Sequence, residues 1–190
     1  MNHDSYSDIY IKGILDEVKT VAMIGASANN VRPSYFVLKY LLSKGYEVWP
    51  INPGQAGKEI LGRTVYASLD DLPDIPDMID IFRNSEAAGQ IVDQVLQSGR
   101  LPKVIWMQLT VRHDEAAKRA EDAGIKVVMD RCPKIEYGRL SGEIGWAGVN
   151  SKTISARRPT LKSGFQHRGL TGKTESCHRP KHGNAVSACA

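Results

Sequence analysis

The chain has 190 residues, of which 42% are hydrophobic and 24% charged, a composition typical of a soluble globular protein with an ordinary core. The formal net charge of +4 is unevenly distributed, because residues 1–150 hold 17 Lys and Arg against 20 Asp and Glu, whereas residues 151–190 hold 8 against one. A nucleic-acid-binding protein more often carries basic charge on its folded domain, so we expect no nucleic-acid partner for residues 1–150.

The predicted elements alternate between helix and strand after an opening amphipathic helix that begins near Ile9. Apolar runs predict five strands, at 21–24, 47–51, 78–82, 104–107 and 125–129. Helical periodicity predicts helices between them, at 35–43, 87–97 and 114–123. Such alternation over short connections indicates an α/β fold with a doubly wound parallel sheet of about five strands. Ligands bind such sheets at the carboxyl ends of the strands.

Residues 151–190 differ in composition from the rest of the chain. Lys, Arg, Ser, Thr, Gly and His dominate this segment, and apolar periodicity is lost. A segment of this kind buries too little apolar surface to offset its ordering entropy, so we predict a domain at 1–150 and a disordered basic tail at 151–190. The tail is interpreted as a solvated extension, and the alternative is a segment that binds nucleic acid or an anionic surface.

No segment predicts export or membrane insertion. Residues 1–6 are polar and acidic, unlike a signal peptide, and no apolar run approaches the roughly 18 residues of a membrane span. Three cysteines without close spacing favour neither a disulfide framework nor a zinc site. We therefore expect a cytoplasmic protein with no membrane or metal partner.

The turn after the first strand carries the features of a phosphate-binding site. Gly25, Ala26 and Ser27 let the backbone approach a ligand closely, and a helix predicted to begin near Ser34 directs free N–H groups and its positive dipole end toward an anion. Arg32 adds a fixed positive charge. Since a charged hydrogen bond contributes about 1.5–3 kcal/mol, this arginine alone could decide whether a phosphate binds. A tight turn without a ligand is the alternative interpretation.

The turn does not have the fingerprint of an NAD-binding site. That fingerprint needs three glycines and an acidic residue about twenty positions later, which binds the ribose hydroxyls. Only Gly25 is present, and the second strand ends in Asn52 and Pro53 without a carboxylate. The sequence also lacks the Gly-Lys-Ser/Thr of a Walker loop.

Six motifs follow one another between residues 10 and 145. They are Val-Ala-Met-Ile-Gly-Ala-Ser at 21–27, Trp-Pro-Ile-Asn-Pro at 49–53, Glu-Ile-Leu-Gly at 59–62, Asp-Ile-Phe-Arg at 80–83, Val-Ile-Trp-Met-Gln at 104–108 and Asp-Arg-Cys-Pro at 130–133. In this order they resemble the CoA-binding domain family, whose members have a Rossmann-like fold and are similar to the N-terminal domain of the succinyl-CoA synthetase alpha subunit.

The resemblance implies that the chain binds coenzyme A, with the pyrophosphate on the turn at 25–27. It places the adenosine near Asn52 and Pro53 and the pantetheine arm past Phe82, Arg83 and Gln108. Relatives often carry a lysine just after the Asn-Pro pair that meets a CoA phosphate. Gly54 and Gln55 stand there in this chain, and Lys58 is the candidate substitute.

The resemblance favours a stand-alone, non-catalytic module that binds CoA or an acyl-CoA. The alternatives are the CoA-binding subunit of a split acyl-CoA ligase and an NAD(P)-dependent oxidoreductase, so whether the chain is an enzyme stays open. A ligase of this type needs a phosphorylated histidine in a second domain, and His113 is the one histidine of residues 1–150 that follows the phosphate turn. We expect His113 on a loop or first helical turn, facing solvent.

Cys132 follows the fifth predicted strand and so belongs to the same edge of the sheet. One interpretation is a small, partly buried packing residue. The other is a thiol whose pKa is lowered by the neighbouring Arg131 and which reacts with the thiol of bound CoA.

Overall fold

The strands of the main sheet are almost entirely buried, which explains why they appear in the sequence as continuous apolar runs. The computed structural model describes residues 2–142. The strands are β1 (Thr20–Ile24), β2 (Glu47–Ile51), β3 (Glu59–Ile60), β4 (Arg63–Thr64), β5 (Met78–Ile81), β6 (Val104–Met107) and β7 (Lys126–Val128).

Five of these strands form one parallel sheet in the order β2-β1-β5-β6-β7. The chain moves from β1 to β2 on one side and then returns to β5 on the other side of β1, so the strand order reverses between β1 and β5. This reversal is the place where doubly wound sheets bind ligands. The predicted fold class, a doubly wound parallel sheet of five strands, is therefore confirmed.

Helices cover both faces of the sheet. They are α1 (Asp8–Glu17), α2 (Pro33–Ser43), α3 (Ser85–Ser98), α4 (Asp114–Asp122) and α5 (Pro133–Leu140). Apolar side chains of α1, α2 and α5 pack on one face, and those of α3 and α4 pack on the other. Burial of these two apolar layers provides the main stabilisation of the fold.

The sequence-based prediction lacked a short hairpin and the last helix. The two-residue strands β3 and β4 form an antiparallel hairpin, turned by Leu61 and Gly62 with φ of 52° and 73°. Helix α5 begins at Pro133, a residue that is common at the first helical position because its missing N–H has no partner there anyway.

Within residues 2–142, no helix combines the length and apolarity needed to cross a bilayer. The predicted basic tail at 151–190 lies outside the described residues.

Candidate functional site

A cavity of about 830 Å³ lies where the strand order reverses, at the carboxyl ends of β1, β5 and β6. Its volume falls within the roughly 300–1,000 Å³ usual for small-molecule sites. Its lining includes all but two of the twelve residues predicted from the sequence: Gly25, Ala26, Ser27, Arg32, Ser34, Asn52, Phe82, Arg83, Gln108 and Cys132.

The two predicted residues that do not line this cavity are Pro53 and Lys58. Pro53 belongs to a second depression of about 770 Å³, next to α3. Lys58 is exposed beside the β3–β4 hairpin, where its backbone N–H donates to Gln55 and its carbonyl oxygen accepts from Val65. The chain therefore departs from the pattern in which a lysine after the Asn-Pro pair faces the ligand.

Only glycine fits at position 25. Gly25 has a φ of 86°, a left-handed conformation that L side chains rarely adopt. A Cβ atom there would lie 2.6 Å from the backbone oxygen of Phe82. The turn after β1 thus approaches the end of β5 too closely for any side chain.

Hydrogen bonds fasten this turn to the end of β2. The N–H groups of Gly25 and Ala26 both donate to the carbonyl oxygen of Ile51, at 3.0 and 3.3 Å. The side-chain Nδ2 of Asn52 donates to the carbonyl oxygen of Ala26 at 2.7 Å. The first two N–H groups of the turn are therefore committed to the protein, and among the described residues the Ser27 N–H is the one in the turn without an acceptor.

The charged groups of the cavity lining are positive. Its lining holds Arg32 and Arg83, neither of which has an acidic partner among residues 2–142, and the described lining contains no Asp or Glu. The N-terminal ends of α2, α3 and α5 also reach it, through Ser34, Ser85 and Cys132. Each helix dipole favours a nearby negative charge by about 0.3–1 kcal/mol.

Several lining residues were missed by the sequence analysis because they depend on how neighbouring loops meet. Asn84 caps α3 through Oδ1, which accepts from the Ala87 N–H at 2.9 Å. Thr110 has a φ of 67°, rare for a β-branched residue, and its N–H donates to Asp130 Oδ1 at 2.7 Å. Strain of this kind costs about 1–3 kcal/mol and is concentrated at functional sites. Pro33, Val37, Ser85, Leu109 and Val111 complete the lining.

A buried carboxyl group lies next to the cavity. Asp80 is fully buried in the third position of β5, and its Oδ1 accepts a hydrogen bond from Gln108 Nε2 at 2.8 Å. Its other oxygen, Oδ2, has no hydrogen-bond partner within residues 2–142. Burial raises the pKa of Asp80 to about 7, and the hydrogen bond from Gln108 opposes that shift.

Of the two interpretations of Cys132, the one in which Arg131 lowers the pKa of the thiol is wrong. Burial is the largest cause of a raised pKa for this thiol, and the charge of Asp80 also raises it. The Arg131 guanidinium instead lies 5.6 Å from the centre of the Tyr6 ring and donates to the Asp130 carbonyl oxygen. Cys132 lines the cavity as a buried residue at the N-terminus of α5.

His113 does not line the cavity. It is the N-cap of α4, and its Nδ1 accepts from the Ala116 N–H at 3.3 Å. Its ring is half-buried against Gly89, where a Cβ atom would lie 2.5 Å from the ring. The expected place at a helix start is therefore right and the expected exposure wrong, because α3 packs on the ring.

Comparison with known proteins identifies the family of this fold. The family model described as "CoA binding domain" matches residues 19–138, which include every strand, all of α2, α3 and α4, and the first six residues of α5. The uncharacterized protein YneT of Bacillus subtilis is 32% identical over 127 residues, covering 67% of this chain and 91% of that protein. The structure of cell-free ID.343 from Thermus thermophilus is 38% identical with a TM-score of 0.67, covering 71% of this chain and 99% of that one.

A further relative is a larger enzyme subunit. The alpha subunit of acetate–CoA ligase (ADP-forming) I of Pyrococcus furiosus is 36% identical over 85 residues, which are 43% of this chain but only 18% of that protein. The resemblance to that enzyme is therefore confined to a small part of it. With more than half of its length matched by the family model, the chain belongs to the CoA-binding domain family.

Proposed function

We propose that this chain binds coenzyme A or an acyl-CoA in the 830 Å³ cavity, as a stand-alone and non-catalytic module. The observation that carries the proposal is the charge of the cavity: two arginines without acidic partners, three helix N-termini and no carboxylate in the described lining. CoA carries its negative charge on a pyrophosphate and a 3′-phosphate, which match such a surface. The family to which the chain belongs supports the same ligand.

The pyrophosphate fits best between the turn at 25–27 and the start of α2. Ser27 offers a free N–H group there, and the Ser34 hydroxyl has no partner among the described residues. Arg32 immediately precedes α2 and has its guanidinium free for a phosphate oxygen. Charge-assisted hydrogen bonds of this type are about twice as strong as neutral ones.

The strand order supports one direction for the ligand. Asn52 follows β2 on one side of the turn, whereas Phe82 and Gln108 follow β5 and β6 on the other. We place the adenosine on the β2 side and the pantetheine arm across the ends of β5 and β6. Asn52 acts mainly by holding the turn, because its side-chain oxygen and nitrogen are both engaged within the protein.

A role as the CoA-binding subunit of a split acyl-CoA ligase is the second candidate, favoured by the match to the acetate–CoA ligase alpha subunit. In the described part of the cavity no histidine is available to carry a phosphoryl group. The chain would therefore depend on another domain or subunit for the chemistry. An NAD(P)-dependent role is less favoured, because β2 ends at Ile51 and is followed by Asn52 instead of the carboxylate that binds a ribose.

Replacement of Arg32 by alanine tests the proposed function. We expect calorimetric titration to show CoA affinity reduced about tenfold or more, since a lost charged hydrogen bond costs about 1.5–3 kcal/mol. Stability should change by no more than about 0.5 kcal/mol, because Arg32 is exposed and makes no ion pair within residues 2–142.

The matched control is Arg119→Ala. Arg119 is an exposed arginine on α4 that pairs with Asp93 and lies outside the cavity lining. Its removal changes the net charge equally and should leave CoA affinity within about twofold of the parent, because a distant exposed charge is screened. Equal losses of CoA affinity in both variants would show that the effect comes from net charge alone and that Arg32 does not contact the ligand.

A further inference from the structure

The carboxyl group of Asp80 is buried among apolar side chains in the middle of the sheet. Its neighbours across β1 and β6 are Met23 and Trp106, and all three residues are fully buried. An ionised carboxylate in such surroundings is unfavourable unless its oxygens are hydrogen-bonded. One oxygen has the single donor Gln108 and the other has none within residues 2–142. A buried polar group that is only partly satisfied points to a role other than packing.

Gln108 connects this carboxyl group to the cavity. It directly follows β6, is 6% exposed, and lines the cavity. Its Nε2 donates to Asp80, while its Oε1 has no donor among the described residues and is not sealed from solvent. An ionised carboxylate only accepts hydrogen bonds, so it fixes which end of the Gln108 amide faces inward. The carbonyl oxygen is thereby left for the cavity.

We propose that Asp80 is a positioning residue that holds the Gln108 amide with its carbonyl oxygen toward the cavity, where that oxygen accepts a hydrogen bond from an amide N–H of the ligand. This inference rests on the proposed binding of CoA. It makes the Asp80–Gln108 pair selective for a phosphate ester that carries an amide-containing arm.

The strand order supports the pantetheine arm as the source of that N–H. β6 is two strands from β1, and neighbouring strands are about 4.8 Å apart, so Gln108 lies roughly 10 Å from the phosphate turn. The adenosine lies on the opposite side, beside β2. The donors on the β6 side therefore come from the pantetheine arm, and they include its two amide N–H groups.

The charge of Asp80 should make this selectivity dependent on pH. With a pKa of about 7, Asp80 is largely ionised at pH 8 and largely protonated at pH 6. A protonated carboxyl also offers a donor, so it no longer fixes the orientation of the Gln108 amide. Among residues 2–142, Cys132 is a titratable group on which the charge of Asp80 acts, and its raised pKa keeps the thiol neutral over this range. Met23 and Trp106 on the adjacent strands do not titrate in this range.

The test compares two ligands, CoA and 3′-phospho-ADP, the fragment of CoA that lacks the pantetheine arm. In Asp80→Asn at pH 8 we expect CoA affinity to fall about fivefold to tenfold, the effect of one misdirected hydrogen bond. Affinity for 3′-phospho-ADP should stay within about twofold of the parent. Gln108→Met should show the same pattern, and adding Asp80→Asn to Gln108→Met should cause no further loss, because Asp80 acts through Gln108.

The pH profile separates positioning from a structural role. The difference in CoA affinity between parent and Asp80→Asn should shrink from pH 8 to pH 6, and titration of the ligand's own phosphates cancels in this comparison. Equal losses for both ligands, additive effects in the double variant, or a difference that does not vary with pH would overturn the inference while leaving CoA binding intact. Failure of the parent to bind either ligand would overturn the proposed function and the inference with it.

Discussion

Replacement of Gly25 by alanine should lower the free energy of unfolding by about 2–5 kcal/mol and weaken CoA binding at least about tenfold. The left-handed backbone at this position costs an alanine about 1–2 kcal/mol. The overlap of the new Cβ with the Phe82 oxygen, at 2.6 Å, adds about 1–3 kcal/mol. Relief of this overlap moves the turn away from β5 and so displaces the Ser27 N–H and Arg32, the two groups that we propose hold the phosphate. Urea unfolding and calorimetric titration measure the two effects.

Gly124→Ala is the matched control. Gly124 has the same φ of 86° as Gly25, but a Cβ there meets nothing within 4 Å. It therefore isolates the cost of the backbone conformation, about 1–2 kcal/mol, and should leave CoA affinity unchanged. Equal destabilisation of the two variants, with CoA affinity retained in both, would contradict the close approach of the turn to β5.

Replacement of Asp80 by asparagine should stabilise the protein relative to the parent, and this advantage should grow by about 2–3 kcal/mol between pH 5 and pH 8. The pKa of Asp80 is about 7 in the folded protein and about 3.9 in an unfolded chain. Between these values the folded state binds more protons than the unfolded state. The parent therefore loses about 1.4 kcal/mol of stability for each pH unit of increase, a loss that ends above pH 7. Asparagine does not titrate, so the Asp80→Asn variant does not undergo this loss of stability.

Asp77→Asn provides the control on the same segment of chain. Burial raises the pKa of Asp77, but hydrogen bonds from Lys103 and from the backbone of Lys19 and Thr20 outweigh it and hold the pKa below its usual value. With its pKa held below the usual range, Asp77 stays ionised from pH 5 to pH 8, so its removal should cost the same stability at every pH in that interval. Urea unfolding at four pH values gives both differences. If the difference in unfolding free energy between the parent and Asp80→Asn does not change with pH, the Asp80 carboxyl is not buried as described.

The sequence predicts the sheet because each buried strand is a continuous apolar run and each major helix has its own periodicity. It does not predict α5, whose eight residues carry a weak apolar pattern and begin with a proline that also suits a loop. The hairpin of β3 and β4 is missed for a similar reason, since Leu61 at positive φ is not a residue typical of a tight turn.

The candidate site is predicted where it follows the strands and missed where it depends on tertiary contacts. Gly25, Arg32 and Gln108 come directly after a strand or before a helix, so the fold class alone brings them to one edge. Asp80 lies within an apolar run, and the sequence does not show whether the side chain of such a residue is exposed or buried in the core. The sequence shows that Arg131 is charged, but packing determines that its guanidinium lies over the Tyr6 ring. The interpretation in which Arg131 lowers the pKa of the Cys132 thiol therefore has the wrong sign.

The most direct test of the central claim is thermal unfolding of the full chain with CoA or NAD. A ligand that binds only the folded state adds about 2.7 kcal/mol of stability at 100 times its dissociation constant. The arginines of the cavity and the absence of a carboxylate after β2 predict that CoA raises the midpoint and that NAD at the same concentration does not. A midpoint raised by NAD and unchanged by CoA would contradict the account.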